Sequence, residues 1–264
     1  MSRLETALRA RPHRGGKALV PFLTGGFPDM DTFQTLLHAA EEAGADAVEI
    51  GIPFSDPVAD GPVIQGASAR ALAGGATPDR LLDAVARARA QGLKVPVVFM
   101  TYYNPVLAYG PGRFAERAAA AGADGVIVVD LPPEEAGEFL PAARRAGLDT
   151  VFLVAPTTPE ARVARVMEVC RGFVYCVSVT GVTGQKRPVV ETVQDLVGRV
   201  RRHTDLPALV GFGVSDPVSA RRVAAVSDGV VVGSALIRAL GDKRGTSARD
   251  AALGFLRALR EALG

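Results

Sequence analysis

The chain has 264 residues, of which 48% are hydrophobic and 22% charged, a composition typical of globular rather than disordered proteins. Its 30 Lys and Arg residues against 28 Asp and Glu leave a formal net charge of +2, which gives no electrostatic basis for nucleic acid as the main partner. The first residues lack an apolar signal region, the apolar runs are too short to span a bilayer, and the 2 cysteines cannot form a disulfide framework. We therefore expect a cytoplasmic globular protein with no membrane partner.

Eight short apolar runs along the chain predict β-strands. Most of them are rich in Val and Ile, a pattern typical of parallel strands that are buried on both faces. Eight is also the number of strands that a closed parallel barrel requires. The predicted strands are Ala18–Thr24, Ala47–Gly51, Val95–Met100, Gly125–Val129, Asp149–Leu153, Phe173–Val177, Ala208–Gly211 and Gly229–Val232.

Longer stretches with helical periodicity alternate with these strands. Asp29, Thr77 and Ser215 are suited to cap the starts of helices, and glycines follow several predicted helix ends. The alternation predicts an α/β protein built as a single (β/α)8 barrel, or TIM barrel, over residues 1–264, with extra N-terminal and C-terminal helices. The predicted helices are Met30–Ala43, Thr77–Gln91, Pro111–Ala121, Pro133–Ala146, Thr158–Cys170, Val190–His203, Pro217–Ala225 and Ala235–Leu240, with the extra ones at Ser2–Arg9 and Ser247–Leu263.

A short sequence unit recurs three times, as GADAVEIG at residues 44–51, GADGVIVV at 122–129 and SDGVVVG at 227–233. Each copy ends a predicted helix, turns on an aspartate and begins a predicted strand. This favours a repeated β/α architecture over a chance recurrence of small residues. Aligning the copies singles out Glu49, which stands where the other copies have Ile127 and Val231.

A carboxylate within an apolar strand needs a partner, a raised pKa or a wet cleft. Glu49 is either a core residue paired with a buried Arg or Lys, or a general acid/base at the carboxyl end of a barrel strand, and we favour the second. The loop that follows, residues 52–62, carries Asp56 and Asp60. These aspartates either form turns or supply a second carboxylate whose role differs from that of Glu49.

Glycine-rich segments follow the last three predicted strands, at residues 178–184, 211–215 and 233–235. Each is a simple turn when taken alone. Together they lie where barrels commonly bind phosphate, and backbone amides at glycine turns and helix starts favour anions. Ser234 is suited to cap the short helix that follows it and to donate to a phosphate. We find no dinucleotide or P-loop spacing and no metal motif, and His13, His38 and His203 are scattered.

Five segments together resemble the tryptophan synthase alpha subunit family. They are residues 21–28 (PFLTGGFP), 48–62 (VEIGIPFSDPVADGP), 100–105 (MTYYNP), 178–184 (SVTGVTG) and 211–215 (GFGVS), and Gly233-Ser234 completes the pattern. The second segment is long and highly specific. The others are weak alone, but they extend the resemblance from the first predicted strand to the seventh.

The resemblance implies a lyase that cleaves indole-3-glycerol phosphate to indole and glyceraldehyde 3-phosphate by a retro-aldol reaction, the last stage of tryptophan biosynthesis. Glu49 is then the acid/base, Asp60 the carboxylate that accepts a hydrogen bond from the indole N–H, and Tyr175 a supporting residue. Phosphate is expected at Gly184, Gly213, Gly233 and Ser234. The substrate is expected to meet Phe22, Tyr102, Ile127, Val129, Leu153 and Phe212, and the loop around Thr183 to close over it.

The resemblance also implies a partner. A beta subunit that carries pyridoxal phosphate is expected to receive the indole through a tunnel, within an α2β2 heterotetramer, whereas the alpha chain itself is expected to hold no cofactor and no metal. The residues expected at this interface are Pro53, Asp56, Asn104 and Pro132.

Three alternatives remain at this point. One is a related phosphate-binding barrel, an isomerase or synthase acting on a phosphoribosyl anthranilate derivative. A lysine at the end of a strand would favour the synthase, but Lys17, Lys94 and Lys186 flank strands or lie in loops. The others are a non-catalytic barrel that binds an indole-type ligand and regulates a partner, which the loss of Glu49 or Asp60 would indicate, and a stand-alone lyase that produces indole.

Overall fold

The computed structural model describes residues 1–13, 16–177, 189–211 and 213–264. Within these ranges eight parallel strands form a closed barrel, in which each strand pairs with the next along the chain and the eighth pairs with the first. The predicted number of strands and the predicted barrel are therefore confirmed. The strands are β1 Ala18–Thr24, β2 Val48–Gly51, β3 Val97–Thr101, β4 Gly125–Val128, β5 Asp149–Val154, β6 Val174–Val177, β7 Ala208–Gly211 and β8 Gly229–Val232.

Helices connect the strands and surround the barrel, and two more lie near the chain ends. Almost every strand residue is buried, as expected for strands that have side chains on one face and helices on the other. The helices are α1 Arg3–His13, α2 Met30–Glu42, α3 Pro62–Ala73, α4 Pro78–Ala90, α5 Tyr103–Tyr109, α6 Pro111–Ala120, α7 Phe139–Arg145, α8 Glu160–Val169, α9 Val189–Arg201, α10 Pro217–Ala224, α11 Ser234–Leu240 and α12 Gly245–Leu263. No helix in the described ranges combines the length and apolar character needed to cross a membrane.

One predicted helix begins later than expected. The sequence predicts it from Pro133, but α7 begins at Phe139, and residues 132–136 form hydrogen-bonded turns instead. Pro141 explains the difference, because proline has no amide hydrogen and clashes with the carbonyl group four residues earlier. It is therefore tolerated in the first turn of α7 but not in the interior of a longer helix.

Two helices, α3 and α5, were not predicted as such. The sequence predicts a loop that ends at Pro62 and no helix around Asn104-Pro105. In the structure both prolines lie in first turns, where a helix does not need their missing amide hydrogen. Pro62 therefore begins a helix at the carboxyl end of the barrel, and Pro105 is the third residue of another.

The caps are partly as predicted. The side chains of Asp29 and Thr77 accept hydrogen bonds from backbone amides in the first turns of α2 and α4. The prediction that Ser215 caps α10 was wrong. Asp216 is the cap: its carboxylate accepts hydrogen bonds from two first-turn amides, and the Ser215 hydroxyl donates to that carboxylate. Ser234 is also not a cap: α11 begins one residue earlier than predicted, so Gly233 takes the cap position.

The three aspartates of the sequence repeat bind neighbouring strands together at the amino-terminal end of the barrel. Each carboxylate accepts a hydrogen bond from the backbone amide of the preceding strand, at 2.9 Å, namely Leu19 to Asp46, Val97 to Asp124 and Ala208 to Asp228. Each also pairs with a helix arginine, namely Arg260, Arg89 and Arg201 in the same order. The repeat thus forms the same contact between neighbouring strands at three places in the barrel.

Candidate active site

A cavity of about 540 Å³ opens at the carboxyl ends of the strands, the end at which barrel active sites lie. One side of it holds the predicted acids, and the other holds the glycine-rich turns after β7 and β8. Among the described residues it is lined by Phe22, Glu49, Ala59, Asp60, Gly61, Ile64, Met100, Tyr175, Gly213, Val214, Ser215, Val231, Gly233, Ser234 and Arg238.

Glu49 is fully buried in the middle of β2, with Phe22 of β1 and Val98 of β3 beside it in register. Neither of its carboxyl oxygens has a hydrogen-bond partner among the described residues, and no basic side chain there pairs with it. Burial, and to a lesser extent the charge of Asp60, raises the pKa of Glu49 from 4.5 to about 8. The alternative of a core glutamate paired with Arg or Lys is therefore not supported within this part of the chain.

Asp60 lies on the loop between β2 and α3 and faces the same cavity. Burial raises its pKa to about 6, and a hydrogen bond with the Tyr102 side chain opposes that rise. The Tyr102 hydroxyl also accepts from the Ala59 amide at 3.0 Å, and its ring lies 5.4 Å from that of Phe54. Gln65 donates to the Asp60 carbonyl at 2.8 Å. The loop is therefore anchored on both sides of Asp60.

The different surroundings of the two carboxyl groups separate their protonation states. At pH 7, Glu49 with a pKa of about 8 is mostly protonated, whereas Asp60 with a pKa of about 6 is mostly ionised. A proton donor and an anion thus face one cavity, which is an arrangement suited to acid/base chemistry on a ring that develops positive charge.

Tyr175 is buried in β6 and lines the same cavity as the two acids. Burial, with the charges of Glu49 and Asp60, raises the pKa of its hydroxyl well above 10. The hydroxyl is therefore neutral at physiological pH. It is a hydrogen-bonding group and a shape-determining one, and it does not serve as a base.

The opposite end of the cavity contains three of the four predicted phosphate-binding residues. Gly213 has a φ of 81°, a left-handed conformation that favours glycine, and Gly233 and Ser234 lie at the start of α11. Gly184, the fourth of them, lies outside the described residues, as do Thr183 and Phe212.

The predicted walls of the indole pocket are only partly assembled. Phe22 lines the main cavity, and Tyr102 lines a smaller one that shares Asp60 with it. Ile127, Val129 and Leu153 are not among the lining residues, although Ile127 pairs in register with Met100 and Leu153 with Tyr175. Ile127 and Leu153 are therefore neighbours of lining residues rather than lining residues themselves.

Several lining residues escaped the sequence interpretation. Met100 and Val231 come from strand ends that were predicted, so their inward direction was the missing information. Ile64 comes from α3, which was not predicted. Arg238 follows Ser234 by four residues on α11, and this spacing was the signal that could have placed it on the same helix face.

The four residues predicted at a partner interface differ in exposure. Asp56 and Asn104 are exposed and Pro132 is partly exposed, but Pro53 is buried within the chain. The Ser55 hydroxyl donates to the Asp56 carboxylate at 2.6 Å, so this aspartate also takes part in a local turn.

The histidines lie apart from the cavity. His38 contacts Gln91 at 3.3 Å, and His203 contacts Glu160 at 2.6 Å on the outside of the barrel. Within the described residues no group of three or more His, Cys, Asp or Glu side chains is placed to hold a metal ion.

Comparisons with known proteins agree with this geometry. The sequence model of the family "Tryptophan synthase alpha chain" matches residues 8–259. The tryptophan synthase alpha chain of Geotalea uraniireducens is 51% identical over 260 residues, which cover 98% of this chain and 97% of the relative. The crystal structure of tryptophan synthase subunit alpha from Legionella pneumophila str. Paris superimposes with a TM-score of 0.91 at 36% identity and covers 100% of this chain and 98% of that one. A structure of tryptophan synthase from M. tuberculosis, in its aminoacrylate-bound form, gives a TM-score of 0.89 at 37% identity, with 100% of both chains covered.

A closed eight-stranded barrel with two buried carboxyl groups in a cavity at the carboxyl ends of its strands is typical of an enzyme of the (β/α)8-barrel class. Fold alone does not fix which reaction such a barrel performs. The family match over residues 8–259 does: the chain belongs to the tryptophan synthase alpha chain family, a family of lyases in tryptophan biosynthesis.

Proposed function

We propose that Glu49 and Asp60 share the acid/base work in the reaction of this family, the retro-aldol cleavage of indole-3-glycerol phosphate to indole and glyceraldehyde 3-phosphate. The observation that carries this assignment is the buried Glu49 carboxyl, which has no hydrogen-bond partner among the described residues, faces the same cavity as Asp60 and has its pKa raised to about 8. A side chain that holds a proton at neutral pH is suited to donate it to a carbon atom.

In the first step the Glu49 carboxyl transfers its proton to indole C3, which becomes tetrahedral while the ring takes up positive charge. The Asp60 carboxylate accepts a hydrogen bond from the indole N–H and stabilises that charge. The Glu49 carboxylate then removes the proton from the neighbouring glycerol hydroxyl. The C–C bond breaks, its electrons return to the ring, and the hydroxyl carbon becomes the aldehyde of glyceraldehyde 3-phosphate. Glu49 is left protonated, ready for the next turnover.

Tyr175 supports the reacting end of the substrate, with Phe22 and Tyr102 against the indole. Ile127, Val129 and Leu153, together with Phe212, complete the apolar surroundings in this proposal. At the other end the amides of Gly213, Gly233 and Ser234 hold the phosphate together with Gly184, and the loop around Thr183 closes over the substrate. The chemistry requires no metal and no organic cofactor on this chain.

The proposal includes a beta subunit that carries pyridoxal phosphate and uses the indole, in a cytoplasmic α2β2 complex. Segments at the carboxyl end of the barrel support this part of it. Exposed Asp56 and Asn104 lie there with Pro132 and the loop that begins at Pro53. The large apolar side chains of Val58 and Leu107 are 85% and 52% exposed on the same two segments, which favours coverage by a partner. The chain acts as one domain over residues 1–264.

Indole release from indole-3-glycerol phosphate tests the proposal, measured for the wild type, Glu49→Gln and Asp60→Asn, with and without a beta subunit. Slow cleavage that each substitution lowers by about 10²-fold or more, and that the partner accelerates, is the expected result. Fast cleavage without any effect of the partner would identify a stand-alone lyase. No cleavage by the wild type under either condition would exclude the enzymatic role and favour a ligand-binding regulator.

A further inference from the structure

Arg238 lines the cavity, and the proposed mechanism gives it no role. It lies on α11 four residues after Ser234, so the two side chains lie on the same face of the helix. It is the one basic side chain among the described residues that line this cavity, in which the other ionisable groups are Glu49, Asp60 and Tyr175.

Arg238 is exposed, and no side chain or carbonyl in the described part of the chain accepts a hydrogen bond from its guanidinium group. Other arginines near barrel strands are engaged. Arg89 binds Asp124 at 2.8 Å, and Arg260 binds Asp46 at 2.9 Å. Arg70, on the neighbouring α3, pairs with Asp242 at 2.5 Å. Within the described ranges, Arg238 therefore has donors that no protein group uses, and it lines the same cavity as the glycine-rich turns.

We propose that Arg238 provides the positive charge that recognises the phosphate group of the substrate, and this inference rests on the proposed function. Backbone amides and a hydroxyl offer hydrogen bonds but no net charge. The cavity already contains the Asp60 carboxylate, which repels a second anion. A guanidinium group presents several donors in a planar fork that matches phosphate oxygens, and its charge offsets that repulsion.

Arg238 is therefore a specificity-determining residue, which acts on binding and takes no part in the proton transfers. For Arg238→Gln we expect the KM for indole-3-glycerol phosphate to rise roughly fivefold to fiftyfold at low salt, with kcat changed by less than about twofold. The difference from the wild type should shrink as salt is added, because an exposed charge is screened. Arg238→Lys should recover most of the loss, since it retains the charge.

Arg222→Gln is the matched control. Arg222 is exposed in the last turn of α10, toward the opposite end of the barrel, so its loss changes the net charge equally without touching the cavity. Calorimetric binding of glycerol 3-phosphate and of indole to each variant completes the experiment. Arg238→Gln should weaken the binding of glycerol 3-phosphate by the same factor as it raises the KM for the substrate. Indole binding and the melting temperature should stay as in the wild type.

The outcomes separate this inference from the proposed function. Cleavage by the wild type, together with an unchanged KM and unchanged glycerol 3-phosphate affinity in Arg238→Gln, would overturn the role of Arg238 alone. Equal losses in Arg238→Gln and Arg222→Gln would overturn it as well, because they would show a non-specific charge effect. If the wild type does not cleave the substrate, the lyase proposal fails, but weaker glycerol 3-phosphate binding in Arg238→Gln alone still supports a phosphate site at Arg238.

Discussion

Tyr175 fills the space that a side chain at Gly211 would need. A Cβ atom built on Gly211 would lie 2.1 Å from the Tyr175 hydroxyl oxygen and 2.4 Å from its ring. The two residues lie on adjacent strands, where Tyr175 pairs in register with Leu209, two positions before Gly211. The absence of a side chain at the end of β7 therefore determines where Tyr175 lies in the cavity.

Gly211→Ala should lower kcat for indole release by about 10²-fold, because the added methyl group displaces Tyr175 by an ångström or more and a shift of that size in a site has effects of this order. The chain should still fold, since Tyr175 borders an open cavity into which it can move. Gly198→Ala on α9 is the control, because a Cβ there meets nothing within 4 Å. If Gly211→Ala retains full activity, the contact does not determine the position of Tyr175.

A double substitution extends this test. In a Tyr175→Ala background, Gly211→Ala should have little further effect on kcat, because the group with which it collides is gone. The four enzymes are compared by indole release under saturating substrate. If the two substitutions lower kcat by independent factors that multiply, then position 211 acts on the reaction through something other than Tyr175.

The pKa values of the Glu49 and Asp60 carboxyl groups predict a bell-shaped dependence of kcat/KM on pH. If the two groups act as proposed, activity should fall below about pH 6, as Asp60 gains a proton and loses its charge, and above about pH 8, as Glu49 loses its proton. Initial rates of indole release between pH 5 and 9 measure both limbs. A rate that keeps rising through pH 9 would mean that Glu49 begins the reaction as a base.

Tyr102→Phe should move the acidic limb of that profile to higher pH. The hydrogen bond from Tyr102 lowers the pKa of Asp60 against the effect of burial, so its loss leaves Asp60 protonated over a wider range. Tyr103→Phe serves as the control, because Tyr103 donates to the Asp130 carboxylate through its backbone amide, which the substitution keeps. An acidic limb at the same pH in both variants would show that Tyr102 does not set the charge of Asp60.

Glu49 should make the protein less stable as pH rises. Its pKa is about 8 in the folded chain against an ordinary value of 4.5, so the folded state holds a proton that the unfolded state releases between these values. The free energy of unfolding should then fall from about pH 4.5 to about pH 8 because of this group. Glu49→Gln removes the effect, so its stability advantage over the wild type, measured in urea, should be larger at pH 8 than at pH 5. Glu116→Gln, at an exposed position on α6, serves as the matched control.

Asp124→Asn should destabilise the barrel by about 1–3 kcal/mol, because it removes the charge that binds Arg89 at 2.8 Å and Arg3 at 3.1 Å while the Val97 amide keeps a neutral acceptor. Asp83→Asn is matched to it as an aspartate that binds an arginine, but at an exposed site. Its carboxylate is 57% exposed and pairs with Arg117 at 3.3 Å, so we expect a change within about 0.5 kcal/mol. Urea unfolding measures the stability of both variants. Equal losses of stability would contradict a structural role for the contacts that Asp124 makes.

The sequence was sufficient for the barrel because its strands are apolar on both faces, and this pattern depends little on tertiary context. It was insufficient for α3 and α5, since Pro62 and Pro105 read equally well as parts of turns until their position in a first turn is known. The predicted start of α7 was wrong for a related reason, because Pro141 alone decides between a long helix and a short one.

The site was predictable to the extent that its residues break a pattern. Glu49 interrupts an apolar strand, and Asp60 lies in a distinctive loop, so both stood out. Met100 and Val231 look like any core residue in the sequence, and only the twist and closure of the barrel turn them toward the cavity. Ser234 shows the same limit in another form, because a shift of one residue in the start of α11 removed its predicted capping role.

The pairing of β1 with β8 affects how the chain is made. Ala18 finds its partner in Gly229, almost the whole length of the chain away. While a ribosome is still translating, one edge of β1 has no strand beside it, and an open apolar edge is prone to associate with other chains. The interval between synthesis of the first and last strands is thus a period of risk during protein production. How quickly translation reaches β8 then sets how long a nascent chain must be protected.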